Sequence, residues 1–144
     1  MAKLQVELVT AEGRLLSQEA DFVLAPGMDG ELGVLPRHIP LLTPLVTGEV
    51  VVRNEGKEER LFVSGGFLEV LQDRVVILAD DAERADNIDE RRAEEARHRA
   101  QELLAQNEDN AEAAAMLEGA LFRLRVADIR RRRRGEHGGP PPAQ

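Results

Sequence analysis

Residues 61–78 read Leu61-Phe62-Val63-Ser64-Gly65-Gly66-Phe67-Leu68-Glu69-Val70-Leu71-Gln72-Asp73-Arg74-Val75-Val76-Ile77-Leu78. Three short apolar runs are separated by Ser64-Gly65-Gly66 and by Gln72-Asp73, which are turn-forming sequences. Runs of this length, rich in β-branched and aromatic residues and bounded by Gly and Asp, are typical of strands. The sequence therefore predicts consecutive antiparallel strands here.

The same pattern extends back to the N-terminus. Leu4, Val6 and Leu8 alternate with polar residues, and further apolar runs end at Pro26-Gly27 and at Asn54-Glu55-Gly56. Prolines at positions 36, 40 and 44 exclude a helix and favour an irregular or edge segment. The spacing of these runs suggests an all-β sandwich or barrel, and of the two we predict a β-sandwich of about ten short strands over residues 1–86. Since Trp and Tyr are absent, its core must be built from Leu, Val, Ala and the four Phe residues.

Beyond about Asp81 the composition changes, and Ala, Glu and Arg dominate as far as residue 134. Ala93, Ala96, Ala100, Leu103 and Leu104 give one helical stripe, and a second stripe follows the polar segment Asn107–Asn110. We therefore predict an antiparallel two-helix hairpin at residues 87–134, its first helix running from about Asp89 to Gln106. The fold class is α+β. Residues 135–144, rich in Gly and Pro, are predicted to form a disordered tail.

The charge is unevenly distributed. The chain has a formal net charge of -8, but Lys and Arg outnumber Asp and Glu by 7 to 1 in residues 119–134. The cluster Arg130–Arg134 is explained by a solvated helix end, by an acidic protein partner, or by a nucleic-acid or anionic-lipid patch. General nucleic-acid binding is disfavoured because the chain is acidic and no aromatic residues interleave with these arginines.

A search for catalytic chemistry finds no constellation that would make the chain an enzyme. The glycine-rich segment Gly27–Gly33 lacks the Lys-Ser/Thr ending of a phosphate-binding loop, so it is interpreted as tight turns. The three histidines have no metal-ligand spacing, and there are no cysteines. We expect no catalytic residues, no metal and no required cofactor. No apolar run resembles a signal peptide or a membrane span.

Three strings make the chain similar to a known family. Residues 25–42, Ala-Pro-Gly-Met-Asp-Gly-Glu-Leu-Gly-Val-Leu-Pro-Arg-His-Ile-Pro-Leu-Leu, closely resemble a motif of the epsilon subunits of bacterial F-type ATP synthases. Residues 63–70 and 78–85 match two further strings, in the family's order. The resemblance covers roughly residues 3–131. It implies a non-catalytic central-stalk subunit that couples rotation to catalysis and inhibits ATP hydrolysis through mobile C-terminal helices.

The resemblance also implies partners and a location. The gamma subunit, the ring of c subunits and the catalytic alpha and beta subunits would be partners, with Glu31 facing the c ring and His38 facing gamma. Arg123, Arg125 and Arg130 would contact a beta subunit when the hairpin extends. The subunit would lie peripherally at the cytoplasmic face of the bacterial membrane, within a proton-translocating complex.

A further similarity concerns nucleotide binding. Ile88-Asp89-Glu90-Arg91-Arg92-Ala93 resembles the family's ATP-binding string, which implies a regulatory ATP site at Ile88, Asp89, Arg92, Arg99 and Arg123 that needs no Mg²⁺. At 100° per residue Asp89, Arg92 and Arg99 share one side of a helix, where guanidinium groups can hold phosphates. The family has a second arginine where this chain has Gly119. A solvated helix, with local support from Asp89 to Arg92, is the alternative.

Two other functions compete with this interpretation. The chain could be a free-standing sandwich-type binding module whose hairpin serves oligomerisation. It could instead bind nucleic acid through its arginine-rich end, which salt-sensitive retention of DNA would reveal.

Overall fold

The computed structural model describes residues 2–137, with side chains described for residues 2–128 and for Arg132. The chain divides into two compact units, Met1–Arg84 and Ala85–Gln144. The first unit is built of strands and the second of helices. The division falls two residues before the boundary expected after residue 86.

The first unit contains eight strands over the residues described: β1 Leu4–Thr10, β2 Gly13–Ala20, β3 Phe22–Gly27, β4 Gly30–Val34, β5 Leu41–Asn54, β6 Lys57–Leu71, β7 Arg74–Ala79 and β8 Ala82–Arg84. The sequence predicted about ten short strands. One reason for the smaller number is that β6, with 15 residues, joins two of the predicted runs, residues 61–63 and 67–71, into a single strand. The turn-forming Gly65-Gly66 bends β6 without ending it.

The strands form one sheet in the order β2-β1-β7-β6-β5-β3-β4, with β8 also pairing with β6. Neighbours are antiparallel except for β1 and β7, which are parallel. The first half of β6 pairs with β8 and the second half with β7, and the change falls at Gly65-Gly66. A long strand that bends between two partners lets one sheet supply both layers of a sandwich.

Gly66 shows why this bend requires glycine. Its φ is +135°, and a Cβ placed there would lie 2.0 Å from the carbonyl oxygen of Leu78 on β7. Any side chain would therefore collide with backbone that cannot swing away. Glycine allows both the left-handed conformation and the close approach of β7.

The core of the first unit is aliphatic. Alternate residues of the strands point inward, and the buried cluster consists of Leu, Val, Ile and Ala side chains such as Leu4, Val6, Leu68, Val70 and Ile77. The expectation that all four Phe residues would contribute is wrong, because only Phe62 is buried. Phe22 and Phe122 are half-buried, and Phe67 is 52% exposed. Two of these rings instead lie against arginine side chains, Phe22 under Arg53 and Phe122 under Arg125.

The proline-rich segment is irregular only in part. Residues 35–40 belong to no strand, as the prolines predicted. Pro44, however, lies inside β5, opposite Phe67 of β6. Proline is tolerated there because Pro44 lies beyond the last pair of β3 and β5, Gly27 with Leu45, where β3 has already ended.

The second unit contains a short 3-10 turn, Ala85–Asn87, and two helices, α1 Glu90–Gln106 and α2 Ala111–His137. The predicted first helix is confirmed, with Asp89 as its N-cap. Asn110 caps α2 by accepting a hydrogen bond from Ala113 N (3.0 Å), as the polar loop indicated. Helix α2 runs three residues into the predicted tail, because an existing helix adds residues at little cost. The rest of that tail, residues 138–144, lies outside the described residues.

Candidate interaction surfaces and nucleotide site

One outer face of the β unit is apolar. Pro44 of β5 lies opposite Phe67 of β6, and Phe67 lies opposite Leu78 of β7, so the three share a face. Leu42, two residues before Pro44, lies on the same face and is 68% exposed. Phe67 and Leu78 are also more than half exposed. We call Leu42, Pro44, Phe67 and Leu78 the outer apolar patch.

The loop of residues 35–40 carries more exposed apolar side chains and continues directly into Leu42. Leu35 is 59% exposed and Ile39 is 74% exposed. His38, predicted at the rotor interface, is half-buried between them, and its Nδ1 lies 2.6 Å from the carbonyl oxygen of Ile39. His38 therefore lies in a loop whose apolar side chains face solvent.

Glu31, the other residue predicted at the rotor, lies on a different element. It is exposed on β4, opposite Pro26 of β3, near the turn at Met28 and Asp29. Met28 at this tip is 62% exposed. The β3–β4 hairpin therefore presents one acidic and one apolar side chain near its end. This end adjoins the outer apolar patch, because Met28 N donates to the carbonyl oxygen of Pro44 (3.3 Å).

In the helical unit the seam between the helices is made of alanine. The buried residues of α1 are Ala93 and Ala100, seven positions apart. The α2 helix buries Ala113, Ala120 and Ala127, again at intervals of seven, together with Val126. Leu103, Leu104, Leu117 and Leu124 are only half-buried. A seam of methyl groups gains about 0.8 kcal/mol per buried carbon, so the pairing of the helices is weak.

The start of α1 carries the predicted nucleotide string. Asp89 is exposed, and its Oδ1 accepts a hydrogen bond from the backbone N–H of Arg92 (3.2 Å). Asp89 therefore acts as a cap, and the contact joins it to the backbone of Arg92 rather than to the guanidinium group. Ile88 beside it is buried.

Arg92 and Arg99 are both exposed and lie seven residues apart on α1, so they share a side of the helix. Among the described residues, no hydrogen bond or ion pair engages either guanidinium group. By contrast, Arg91 pairs with Glu95 (3.4 Å), and Arg97 pairs with Glu94. Two positive groups on one side of a helix that no described side chain pairs with are suitable for an anion such as phosphate.

Arg123 occupies the space left by a missing side chain. It is half-buried, and its Nη1 lies 3.1 Å from where a Cβ on Gly119 would be. The two residues are four apart on α2, one turn of the helix. Gly119 therefore stands where the family pattern has an arginine, and the guanidinium group of Arg123 lies beside it.

The residues predicted to contact a beta subunit lie towards the end of α2. Arg125 is exposed and lies over the Phe122 ring, 5.2 Å from its centroid. Arg130 belongs to α2, and its side chain lies outside the described residues. Arg132 is exposed and pairs with Asp128 (3.1 Å). Among the described charged side chains of this part of α2, Arg123, Arg125 and Arg132 are basic and Asp128 is acidic.

The described residues also bear on metal binding and on membrane spanning. Within the described part of the chain, no three His, Cys, Asp or Glu side chains are placed to bind a metal ion together. Neither α1 nor α2, over the residues described, has an apolar stretch of the length that crossing a membrane requires.

Sequence reasoning missed two features of these surfaces. Phe67 and Leu78 were interpreted only as strand residues, although the alternation Phe67, Glu69, Leu71 marks the outward positions of β6 once Leu68 and Val70 are placed inside. Asp73 was interpreted only as a turn residue. Its carboxylate in fact accepts a hydrogen bond from Arg37 N, 36 residues earlier. Nothing in the local sequence indicates that contact.

Fold and surfaces together define a class of protein. A small β-sandwich unit with an exposed apolar face is followed by a helical hairpin with an alanine seam, and an exposed apolar face is typical of proteins that bind other proteins. The class is therefore that of an interaction subunit made of two units.

Family models match both units in order. The β-sandwich domain of the ATP synthase delta/epsilon chain matches residues 3–85, and the long α-helix domain of the same chain matches residues 86–128. The chain belongs to the family of ATP synthase delta/epsilon chains. This confirms the resemblance found in the sequence and the interpretation as a non-catalytic subunit.

Two bacterial ATP synthase epsilon chains are similar to this chain over nearly its whole length. The ATP synthase epsilon chain of Dehalococcoides mccartyi is 49% identical over 136 residues, which cover 92% of this chain and 97% of the relative. That of Herpetosiphon aurantiacus is 50% identical over 133 residues, covering 90% and 98%. Near-complete coverage on both sides shows that these relatives share both units.

Solved structures share the fold. A chain in the mitochondrial ATP synthase OSCP/F1/c-ring of Euglena gracilis superposes with a TM-score of 0.68 at 23% identity, covering 92% of this chain and 82% of that chain. A chain in the central stalk/c-ring of the Tetrahymena thermophila enzyme gives 0.56 at 15% identity, covering 89% and 96%. At these identities the likeness supports the sandwich-and-helix architecture alone.

Proposed function

We propose that the chain works in the central stalk of a proton-translocating ATP synthase, coupling rotation of the gamma subunit and the c ring to catalysis, and restraining ATP hydrolysis through its helical unit. The complex would hold it peripherally at the cytoplasmic face of a bacterial membrane. The observation that carries this proposal is the match of both units to one family in one order. The two solved structures that share the fold are assemblies with a c ring, one of them a central stalk and c ring, which supports these partners.

The β unit is proposed to bind gamma through the outer apolar patch and the loop of His38. This surface is apolar, exposed and built on paired strands, so it is suited to a stable protein interface. The β3–β4 hairpin, with Glu31 and Met28 near its tip, is proposed to contact the c ring. The two surfaces adjoin at Met28 and Pro44, so gamma and the c ring would bind next to each other on one unit.

The helical unit is proposed to inhibit ATP hydrolysis by changing from a compact to an extended conformation. Because its seam buries mainly alanine, little free energy opposes separation of α1 from α2. An extended α2 would place Arg123, Arg125 and Arg130 beside an acidic segment of a beta subunit. Complementary charge would favour that contact, since this stretch carries seven basic residues and one acidic residue.

ATP is proposed as a regulatory ligand of the compact hairpin, and Mg²⁺ is not required. Arg92 and Arg99 supply two cations to which the described residues give no acidic partner. Arg123 supplies a further positive charge. Asp89 retains Oδ2, which can accept a hydrogen bond from an adenine amine. ATP would shift the hairpin's population only by the difference in its affinity for the two states.

Removing the helical unit tests the inhibitory role. The core cluster of the β unit lies within residues 4–82, so a chain that ends at Arg84 should still fold. We expect the complex reconstituted with this truncated chain to hydrolyse ATP faster at low ATP concentration than the complex with the full chain. Equal rates, with the truncated chain shown to be bound, would remove the inhibitory role.

Calorimetric titration of the full chain with ATP in the presence of EDTA tests the nucleotide site. We expect Arg92→Ala to weaken binding by about tenfold, the effect of losing one charge-assisted hydrogen bond. Arg91→Ala is the matched control, since it removes the same charge from the adjacent residue, which pairs with Glu95. Equal weakening by both variants would show general electrostatic attraction and no defined site.

Position 119 allows a gain of binding to be tested. Gly119→Arg restores the second arginine of the family pattern, and the new Cβ would meet Arg123 Nη1 (3.1 Å), the far end of a flexible side chain that can move aside. We expect tighter ATP binding in this variant. A variant that folds normally and binds ATP no more tightly would exclude a role for this face of α2.

A further inference from the structure

The loop of residues 35–40 presents apolar side chains to solvent without strand pairing. Leu35 and Ile39 are more exposed than buried, and the loop contributes no ladder hydrogen bonds. A loop of this kind is expected to sample many conformations, and fixing it on binding would weaken an interface. The proposed gamma interface therefore requires something that fixes the loop beforehand.

The loop contains a tight turn with an unfavourable residue. His38 N donates to the carbonyl oxygen of Leu35 (3.2 Å), so Leu35–His38 form a turn with Pro36 and Arg37 at its centre. Arg37 has φ +69°. With Pro at the second position and a positive φ at the third, this has the form of a type II turn, which normally has Gly at the third position. Arginine does not favour this conformation by itself.

A carboxylate from another part of the chain holds this turn. Asp73 Oδ1 accepts a hydrogen bond from Arg37 N at 2.6 Å. Asp73 lies in the β6–β7 turn, where Gln72 and Asp73 both have positive φ, and its backbone carbonyl accepts from Gln5 N (2.8 Å). The backbone of Asp73 is thus anchored to β1, β6 and β7, which fixes the position from which its side chain reaches Arg37. A hydrogen bond from an amide to an ionised carboxylate is stronger than one to a neutral group.

We infer that Asp73 is a positioning residue for the gamma-binding surface: its carboxylate fixes the strained turn at Arg37 and so presets Leu35, His38 and Ile39 beside the outer apolar patch. The inference rests on the proposed role of this surface in binding gamma. Asp73 need not touch the partner, because it acts through the backbone of Arg37. The contact also joins the loop to the rigid β6–β7 turn, whose strands carry Phe67 and Leu78.

Two substitutions at position 73 separate positioning from folding. Asp73→Gly removes the acceptor, and glycine is favoured in a two-residue hairpin turn with positive φ, so the β unit should keep its unfolding temperature. Asp73→Asn tolerates the same turn and keeps an oxygen that can accept from Arg37 N. The full chain would carry each change. Affinity would be measured by titration into the alpha-beta-gamma complex from the same organism.

We expect Asp73→Gly to bind about tenfold more weakly than wild type, with Asp73→Asn recovering most of the loss. Amide hydrogen exchange at Arg37 and His38 should accelerate about tenfold or more in the glycine variant and little in the asparagine variant. Wild-type affinity in Asp73→Gly, or unchanged exchange at Arg37, overturns the inference. Failure of the wild-type chain to bind instead rejects the proposed function, and the exchange data then still decide whether Asp73 holds the loop.

Discussion

The two units of this chain are stabilised in different ways. In the β unit, buried Leu, Val and Ile side chains form one core cluster. The long strands β5 and β6 lie in the middle of the sheet and contribute to this cluster. In the helical unit the buried residues along the seam are mainly alanines at intervals of seven. The contribution of each buried side chain is therefore about two to three times smaller in the hairpin than in the β unit.

The comparison teaches that one chain can combine a rigid unit with one of low local stability. Regions that change conformation usually belong to the less stable parts of a structure, which have few large buried side chains. Here the low-stability unit also contains the basic end of α2. The difference in core composition is therefore the physical basis of the proposed division between rotor binding and regulation.

The largest expected effect comes from the bend of β6. Gly66→Ala places a Cβ 2.0 Å from the Leu78 carbonyl oxygen at a φ of +135°, so we expect about 4 kcal/mol of lost stability from strain and overpacking together. Chemical denaturation followed by circular dichroism measures the loss. Gly13→Ala is the matched control, because its φ is +125° with nothing within 4 Å, and about 1 to 2 kcal/mol is expected. Equal losses would show that the close approach of β7 has no role.

A cavity in the β core should cost slightly less. Leu68 is 0% exposed within the core cluster, and Leu68→Ala is expected to lower the free energy of unfolding of the β unit by about 3 kcal/mol. Leu117→Ala, in the half-buried border of the hairpin seam, is expected to cost about 1 kcal/mol or less. Hydrogen exchange resolved along the chain would assign each loss to its unit. Comparable losses in both units would break the comparison.

The alanine seam should resist larger side chains. Ala100 is 0% exposed, so Ala100→Leu is expected to weaken the pairing of α1 and α2 by about 2 kcal/mol and to accelerate amide exchange in both helices. The exposed Ala105 on the same helix is the control, and Ala105→Leu should change stability by less than about 0.5 kcal/mol. If Ala100→Leu slowed exchange, the seam would be underpacked rather than closely packed.

The smallest effect concerns a surface ion pair and depends on pH. Lys3 Nζ donates to Asp21 Oδ1 (2.5 Å), and Glu55 N donates to Asp21 Oδ2 (2.7 Å). The Lys3 hydrogen bond, followed by that of Glu55 N, lowers the pKa of Asp21 below its ordinary 3.8. Because the pKa is lowered on folding, the stabilisation is present above pH 3.8 and is lost as pH falls through the folded-state pKa.

Asp21→Asn should therefore lower the unfolding temperature slightly at neutral pH, and the difference from wild type should shrink under acid conditions. Lys3→Met should cause a similar loss at neutral pH, and the double variant should lose less than the sum, since both changes remove the same contact. The same hydrogen bond raises the pKa of Lys3 above 10.5, so this contribution also disappears at pH values beyond that raised pKa. A difference that stays constant down to acid pH would exclude the linkage.

Much of the fold followed from local patterns. The alternation at Leu4, Val6 and Leu8 correctly predicted a strand, and Asp89 and Asn110 correctly marked the helix starts. The number of strands did not follow, because Ser64-Gly65-Gly66 has the composition of a turn whether a strand ends there or bends. The positions of the Phe side chains were also wrong, since hydrophobicity alone does not indicate which face of a strand is covered.

Only some of the candidate surfaces could be predicted from the sequence. Glu31, His38, Asp89, Arg92, Arg99 and Arg123 were named from motifs, and their placement on exposed or half-exposed elements leaves their roles as predictions. The outer apolar patch depends on register, because Phe67 meets Pro44 and Leu78 only when three strands pair as they do.

The sequence by itself determined the two-unit organisation, the helical hairpin with its alanine seam, and the concentration of arginine near its end. These depend on composition and periodicity, which act over a few neighbouring residues. Only the tertiary structure decided that β6 bends at Gly66 against Leu78, that Phe67 faces outward, and that Asp73 holds Arg37. Each of these depends on contacts between residues far apart in the chain, which no local pattern specifies.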